Sequence, residues 1–292
     1  MISEVVQLGS DTLELLPVLY EQVHGRKCPP DYFRLKYDTA FTGAQYIGYV
    51  ALENKIPLAY YGVIPVMVSV NNEPVLAAQS CDTMTHPRHR NKGLFVQLAK
   101  LTLELAGKKG IHFVFGFPNK NSYPGFIKHL GFRHTETMNR YTISFSKTIL
   151  RKLYRKLLVS LPANGRSIEN RLLLQGFDGV LYSDAYLHYK HYNQNRILTS
   201  NDKLYWINTY GHLFVGAMSD EREEALPEQI AFLSKRTKAS SATFIISPGT
   251  QLDKSLSRLY TAEEGFPVII KNISGKFSTD NLKFQFADID IF

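Results

Sequence analysis

The sequence predicts a mixed α/β (α+β) fold in which helices flank a mostly antiparallel sheet. Three runs rich in Tyr, Val and Ile, at 46–52, 58–70 and 75–85, are separated by turn signals and predict an antiparallel meander. Leucines at helical spacing then predict a long helix over 93–110. The short, almost wholly apolar run 112–117 follows this helix and predicts a buried central strand.

Shorter elements are predicted on either side of this series. Ser10 and Asp11 offer N-cap oxygens to a helix that runs through His24 and ends at Gly25. The remaining elements predicted for the first half are strands over 5–8 and 134–145 and helices over 30–37 and 121–130. The predicted order is therefore strand, helices, three strands, long helix, strand, helix and strand.

The second half is predicted to repeat this unit with shortened connections. Its LYWINTY segment, within a helix-like stretch over 201–210, is similar to DYFRLKY at 31–37. The other elements predicted there are strands over 213–218, 243–247, 267–270 and 284–292 and helices over 224–235 and 251–260. Any two α/β domains could show this degree of similarity, and the sequence leaves both interpretations open.

These patterns divide the chain into a first domain over 1–145, a basic helix and linker over 146–165, and a second domain over 166–292. The basic helix, 146–161, has leucines on one face and Lys or Arg mostly elsewhere. It either packs on the core with a solvated basic side or contacts an anionic surface such as a membrane.

The composition narrows the class of protein. The chain has 292 residues, a formal net charge of +8 and two cysteines. Two cysteines exclude a disulfide scaffold and a cysteine-rich zinc module, and they favour reduced thiols in the cytoplasm. Neither a signal peptide nor a membrane-spanning run is predicted. The positive charge indicates an anionic partner: nucleic acid, an anionic membrane or a phosphorylated cofactor.

The segment TMTHPRHRNKGLF, at 83–95, joins a predicted strand to the long helix. The first N–H groups of a helix lack intrahelical partners, and the helix dipole is positive there, so this end favours an anion. Gly93 lets the backbone approach such an anion, and Arg88, Arg90 and Lys92 add positive charge. The segment predicts a phosphate site, although it matches neither the P-loop nor the GxGxxG turn.

This turn resembles the main motif of the GCN5-related N-acetyltransferase (GNAT) family. That motif, Gln/Arg-x-x-Gly-x-Gly/Ala, holds the pyrophosphate of acetyl-CoA in the family. Here it is RNKGLF at 90–95, with Phe95 in place of a small residue. This chain also resembles a second motif of the family, at Asn119, Ser122 and the Gly-Phe pair at 131–132. The resemblance covers roughly residues 1–145 and implies a GNAT-type fold.

The second half has no Arg-x-x-Gly-x-Gly/Ala turn. If it repeats the fold, the resemblance implies a tandem chain whose second, degenerate GNAT-like domain has no cofactor of its own.

The resemblance implies acetyl-CoA as co-substrate. In the family the fourth and fifth strands splay, and the pantetheine between them bonds to main-chain groups. The residues implied to bind acetyl-CoA here are Thr83, Met84, Thr85, Arg88, Arg90, Asn91, Lys92, Gly93, Leu94, Phe95, Asn119, Ser122 and Phe126. No metal is predicted, because His188 and His191 have no third ligand nearby in the sequence.

Two catalytic candidates follow from the family's chemistry. A family Tyr usually protonates the CoA thiolate, but the expected position here holds Phe126 or Ile127, so Tyr123 is the candidate acid. Asp82 lies on the strand that the family uses for the base and is the candidate base. Tyr123 could instead pack as an aromatic residue, and Asp82 could bond neighbouring backbone.

The predicted function is transfer of an acyl group from acyl-CoA to a primary amine of a small molecule or a polymer precursor. A non-catalytic acyl-CoA-binding or regulatory module is an alternative. It is favoured slightly by the absence of the family Tyr and by Phe95 in place of a small residue. A third candidate is a FemABX-type aminoacyltransferase, which also pairs two GNAT-like domains and uses charged tRNA. The CoA-type turn argues against this third class, so no nucleic-acid partner is expected.

Overall fold

The structure is a computed structural model that describes residues 4–145, 167–200, 202–209, 212–237 and 239–292. Its contacts divide the chain into two compact units, which consist of Met1–Thr135 with Pro267–Asp280 and of Glu136–Phe266 with Asn281–Phe292. The predicted domains follow chain order, whereas the units do not, because a segment of the second half returns to the first unit. The predicted basic helix, 146–161, and the linker after it lie outside the described residues.

A mostly antiparallel sheet forms the centre of the first unit. Its strands are β1 (Glu4–Gln7), β2 (Ile47–Glu53), β3 (Ile56–Val70), β4 (Glu73–Thr85), β5 (Phe113–Gly116) and residues 267–272 of β12 (Glu263–Asn272). Their order is β1-β2-β3-β4-β5-β12. The β4–β5 pair is parallel, and the other neighbours are antiparallel. The predicted meander and the buried strand after the long helix are confirmed.

Four helices accompany this sheet: α1 (Leu15–His24), α2 (Tyr32–Lys36), α3 (Leu94–Lys108) and α4 (Tyr123–His129). Helix α3 provides the connection that a parallel β4–β5 pair requires. Its apolar face is buried: Leu98, Ala99 and Ala106 belong to one core cluster with residues of β2 and β3. The long helix predicted from the leucine spacing is thus confirmed, and it fixes where β4 ends and β5 begins.

The start of α1 differs from its prediction. Glu14, not Ser10 or Asp11, is the N-cap residue, and the chain before it forms turns in which Gly9 N donates to Thr12 Oγ1 (2.8 Å). Pro17 is the third helical residue, where its missing N–H needs no intrahelical acceptor. The predicted end is confirmed, because Gly25 has a φ of 67° and caps the helix.

The second unit contains a similar arrangement of strands. The strands assigned to it are most of β6 (Arg133–Ser144), β7 (Gly179–Val180), β8 (Arg196–Ser200), β9 (Lys203–Asn208), β10 (Leu213–Met218) and β11 (Ser241–Ile246). Its sheet runs β8-β9-β10-β11-β6, with β10 and β11 parallel and the other pairs antiparallel. The helices are α5 (Arg171–Leu174), α6 (Asp184–Tyr189), α7 (Leu226–Arg236) and α8 (Gln251–Leu259).

The helix-like stretch predicted over 201–210 is wrong. Residues 203–208 form β9, because the apolar side chains alternate between two faces. Tyr205 and Ile207 join one core cluster, while Trp206 contacts the ring of Tyr182. The similarity of LYWINTY to DYFRLKY therefore does not reflect a shared element, since 32–36 is helical.

The strand predicted over 284–292 is also wrong. A 3-10 turn forms over Phe286–Asp288, and the buried side chain of Asp288 caps it. Asp288 Oδ2 accepts a hydrogen bond from Gln285 N (2.7 Å), and Oδ1 accepts one from Tyr182 Oη (2.7 Å). The polar side chain thus bonds inward in a tight turn, where the alternating pattern had predicted extended backbone. Burial raises the pKa of Asp288 to about 7.

This raised pKa predicts a pH-dependent contribution to stability. The contribution of Asp288 is fully present below the unfolded-state pKa of about 4 and is lost as the pH rises through about 7. Asp288→Asn removes this titration. The difference in unfolding free energy between the variant and the wild type should therefore shift in favour of the variant by up to about 4 kcal/mol between pH 4 and pH 8. Urea unfolding at several pH values measures it, and parallel pH curves would contradict the prediction.

Candidate active site

The pairing between β4 and β5 ends in the middle of β4. Its register joins Ala78 to Val114 and, as the last pair, Ser80 to Gly116. Strand β4 continues beside β3 as far as Thr85, which is opposite Ala59. In the described part of the chain, residues 81–85 consequently have no β5 residue in register with them. The pairing ends in the part of β4 where the family resemblance implies splayed strands.

A β-bulge lies where β4 leaves β5. Three residue steps on β4, from Cys81 to Met84, are opposite two steps on β3, from Gly62 to Tyr60. The extra residue places Asp82 at a φ of 45°, in the left-handed region that few non-glycine residues adopt. Bulges of this kind redirect side chains, and this one lies directly after Ser80, the last residue of β4 that pairs with β5.

The chain after β4 turns tightly before α3 begins. Residues Pro87–His89 form a 3-10 turn in which Arg88 N donates to His86 Nδ1 (3.2 Å). Asn91 and Gly93 then adopt positive φ values of 61° and 78°, and Gly93 is the N-cap residue of α3. Glycine takes this conformation without the steric cost of a Cβ, which accounts for Gly93.

The first turn of α3 presents unpaired donors. The first hydrogen bond of the helix runs from Gln97 N to Gly93 O (3.0 Å). The described residues provide no acceptor for the N–H groups of residues 94–96, which come before it. No acidic residue occupies this turn. Arg88, Arg90 and Lys92 are all exposed beside it. The arrangement has the donors and the positive charge that an anionic group needs.

The positive charge is reflected in the pKa of His86. Partial burial lowers this pKa below its usual value, and the nearby charges of His89 and two arginines act in the same direction. A bound anion would oppose this repulsion.

Leu94 and Phe126, both predicted to bind acetyl-CoA, have buried side chains. The side chain of Leu94 is only 3% exposed, so the residue can offer its backbone N–H alone. Phe126 is 2% exposed and lies in the core, with ring contacts to Tyr61, Phe95 and Phe132. A direct ligand contact by Phe126 is therefore not supported; its ring supports Phe95.

The loop before α4 is held by Asn119. Its Oδ1 accepts hydrogen bonds from Asn121 N (2.9 Å) and Ser122 N (3.1 Å). Ser122 is the N-cap residue of α4, and Tyr123 follows as the first helical residue. The Tyr123 hydroxyl is 3.0 Å from Nδ1 of His134, on β6, a residue that no sequence pattern had indicated. The candidate acid thus has a titratable neighbour.

The candidate base has two partners on α2 and directly after it. Asp82 Oδ1 is 2.8 Å from Lys36 Nζ, and Oδ2 accepts a hydrogen bond from Tyr37 Oη (2.9 Å). The Lys36 side chain is 0% exposed and that of Asp82 is 13% exposed. No sequence signal marks this ion pair, because its members are 46 residues apart in separate elements.

The described residues contain neither a candidate metal site nor a candidate membrane span. Among them, no three His, Cys, Asp or Glu side chains are grouped in a way that could hold a metal ion. No described helix is long and apolar enough to cross a membrane.

Comparison with known families identifies residues 30–135 of the first unit. Residues 30–135 match the family described as an acetyltransferase (GNAT) domain. This segment contains Asp82, the bulge, the anion-binding turn and the loop before α4. Residues 30–135 therefore form a GNAT acetyltransferase domain, and the resemblance recognised in the sequence is confirmed for them. No curated protein shows significant sequence similarity to the chain.

Solved structures share the fold over most of the chain. A GCN5-related N-acetyltransferase from Kribbella flavida is 14% identical, with a TM-score of 0.63 over 93% of this chain and 72% of its own. One from Anabaena variabilis is 11% identical, with a TM-score of 0.59 over 92% of this chain and 72% of its own. Eis1 from Mycobacterium abscessus is 11% identical, with a TM-score of 0.53 over 92% of this chain and 73% of its own. At these identities the likeness concerns the fold alone.

Gly125, on α4, leaves room for the ring of Phe95, the large residue in the motif. A Cβ added to Gly125 would be 2.5 Å from Cε1 of Phe95. We therefore expect Gly125→Ala to destabilise the wild type by about 1–3 kcal/mol through overpacking. In a Phe95→Ala background the same change should be neutral or should stabilise by up to about 1 kcal/mol, because alanine is the better helix former. A double-mutant cycle measured by chemical unfolding tests this, and equal effects in both backgrounds would contradict it.

Proposed function

We propose that this chain is an acyl-CoA-dependent N-acyltransferase that uses acetyl-CoA and acylates a primary amine. The observation that carries the proposal is the combination of a parallel pairing that ends within β4 with an anion-binding turn inside one GNAT domain. A splayed parallel pair offers main-chain groups to an extended ligand, and the turn at its end offers donors to a polyphosphate. CoA has both features in this order, a pantetheine arm followed by a pyrophosphate.

The turn before α3 is the proposed pyrophosphate site. The N–H groups of residues 94–96 donate to the phosphate oxygens, with Arg88, Arg90 and Lys92 supplying counter-charge. Gly93 and Asn91 give the backbone the conformation that exposes these donors. The pantetheine lies along Thr83, Met84 and Thr85, where β4 has left β5. Asn119 and Ser122 shape the opposite wall through the loop before α4.

The proposed reaction is direct acyl transfer. The neutral amine attacks the thioester carbonyl, the new C–N bond forms, and the C–S bond breaks to release the CoA thiolate. Asp82 takes the proton that the amine nitrogen loses, and Tyr123 protonates the thiolate. A backbone N–H of β4 polarises the carbonyl in this scheme, as an oxyanion hole does.

We further propose that the second unit is a degenerate GNAT-like domain without a CoA site. Its antiparallel strands β8–β10, followed by the parallel pair β10–β11, repeat the arrangement of β2–β5. Where the first unit presents free donors, this unit buries the carboxylate of Glu221, which accepts a hydrogen bond from Gln175 Nε2 (2.9 Å). A buried carboxylate disfavours a pyrophosphate at this end of the sheet. The fold likeness to the solved GCN5-related N-acetyltransferases extends over more than 90% of this chain and so includes the second unit.

A cytoplasmic location accords with the thiols. Cys28 and Cys81 are both free cysteines, as expected in a reducing compartment.

A non-catalytic acyl-CoA-binding module is the second candidate. The observation in its favour is that both oxygens of Asp82 already accept hydrogen bonds, and that the Tyr123 hydroxyl is engaged by His134.

The pyrophosphate site predicts which substitutions weaken CoA binding. Arg90→Ala removes a charge beside the turn, and Gly93→Asp adds a carboxylate where the phosphate oxygens would lie. We expect each to raise the Kd for CoA about 10-fold or more. Lys108→Ala is the matched control, since it removes one positive charge from the other end of α3 and should leave the Kd unchanged. Calorimetry measures all three, and equal affinities throughout would refute the assignment.

An amine panel tests catalysis and separates the two candidates. The wild type is supplied with acetyl-CoA and a polyamine, an aminosugar, an amino acid or a lysine-containing peptide. Thiol release and the mass of the acceptor are followed together. An acetylated amine supports the transferase. CoA binding without turnover of any panel member would favour the binding module instead.

A further inference from the structure

A short segment at the end of α2 controls both oxygens of Asp82. Lys36, the last residue of α2, contacts Oδ1, and Tyr37, the next residue, donates to Oδ2. The same lysine is also 3.2 Å from Tyr32 Oη, so its ammonium is held from two sides. Both partner side chains are buried, whereas Asp82 keeps a small exposed part. The carboxylate therefore has one fixed orientation.

The backbone at Asp82 shows that this orientation is imposed. A positive φ costs free energy for a residue with a Cβ, and such residues persist where the surroundings over-determine them. A carboxylate has about four acceptor positions, and Lys36 and Tyr37 take one on each oxygen. The positions that remain are available to donors arriving at the exposed part of the side chain.

We propose that Lys36 and Tyr37 are positioning residues that hold Asp82 as an oriented carboxylate for the acceptor amine. The inference rests on the proposed function and deepens it. The N–H groups of the bound amine donate to the remaining acceptor positions of Asp82, which aims the nitrogen lone pair at the thioester. When the C–N bond forms and the C–S bond breaks, the proton of the amine passes to Asp82, and the thiolate takes a proton from Tyr123.

Other titratable groups also surround Asp82. Tyr60 and Cys81 act electrostatically with Asp82 on the buried Tyr37, whose pKa burial raises well above its usual value. From the end of α1, His24 interacts with Asp82, and its pKa is lowered by partial burial and by Arg26. Arg90 contributes in the same direction at His24. Of these groups, Tyr37 alone is substituted in the variants below.

Lys36→Met is the principal test, with Arg34→Met as its matched control. The control removes the exposed ion pair with Asp31 (3.1 Å) from the same helix. We expect Lys36→Met to lower kcat about 10-fold or more toward the most active amine of the panel, with the Kd for CoA unchanged. The KM for the amine should rise while the KM for acetyl-CoA stays at the wild-type value, because only the acceptor depends on the orientation of Asp82. Arg34→Met should match the wild type in kcat, in both KM values and in affinity.

Tyr37→Phe provides a second variant should Lys36→Met not fold. It removes one hydrogen bond and keeps the buried ring, and we expect a smaller loss of kcat with the same difference between the two KM values. Asp82→Asn is less informative, because it leaves a buried ammonium beside a neutral group and weakens the fold itself. Thermal unfolding of each variant verifies that the fold is retained.

The outcomes separate the positioning role from the proposed function. A folded Lys36→Met variant with wild-type kcat and KM values would overturn the positioning role while leaving the proposed function intact. The positioning role is also overturned if the rate falls and the KM for acetyl-CoA rises as much as the KM for the amine, since a merely structural role explains that result. If the wild type binds CoA but acylates no amine of the panel, the proposed function fails, and the inference fails with it.

Discussion

The extra residue in β4 determines the geometry of the whole site. The bulge comes directly after Ser80, the last residue of β4 that pairs with β5, so that in the described part of the chain the outer part of β4 continues beside β3. Within the bulge lies Asp82, which Lys36 and Tyr37 hold. Without that extra residue Asp82 would follow the ordinary backbone of a strand, and we expect its contacts with Lys36 and Tyr37 to be lost.

Two kinds of electrostatic environment lie within a few residues on β4 and the turn that follows. The turn before α3 has exposed cations and unpaired N–H groups, so its charge is available to a ligand from solvent. The negative charge of Asp82 is compensated by Lys36, which solvent does not reach. Exposed charge suits the capture of a polyphosphate, and compensated, buried charge suits a group whose orientation must not change.

The sequence predicted the parts of the site that are continuous in the chain. The turn at 90–95 and the leucine spacing of α3 are local patterns, and the structure has them where they were expected. The Lys36–Asp82 pair could not be predicted, because it depends on how α2 packs against β4. The helix predicted over 201–210 was wrong for a related reason. A short run of apolar residues suits a helix or a strand, and tertiary packing makes residues 203–208 a strand. The alternating tail at 284–292 likewise became a turn, because Tyr182 and Gln285 recruit the Asp288 carboxylate inward.

The turn between β4 and α3 is the proposed binding site for the pyrophosphate of CoA, and the other assignments depend on it. A crystal structure of the chain with bound CoA tests this assignment most directly. We expect phosphate oxygens within hydrogen-bonding distance of the backbone N–H groups of residues 94–96, with the pantetheine along residues 83–85. CoA bound with its phosphates away from this turn, or at the second unit, would contradict the assignment.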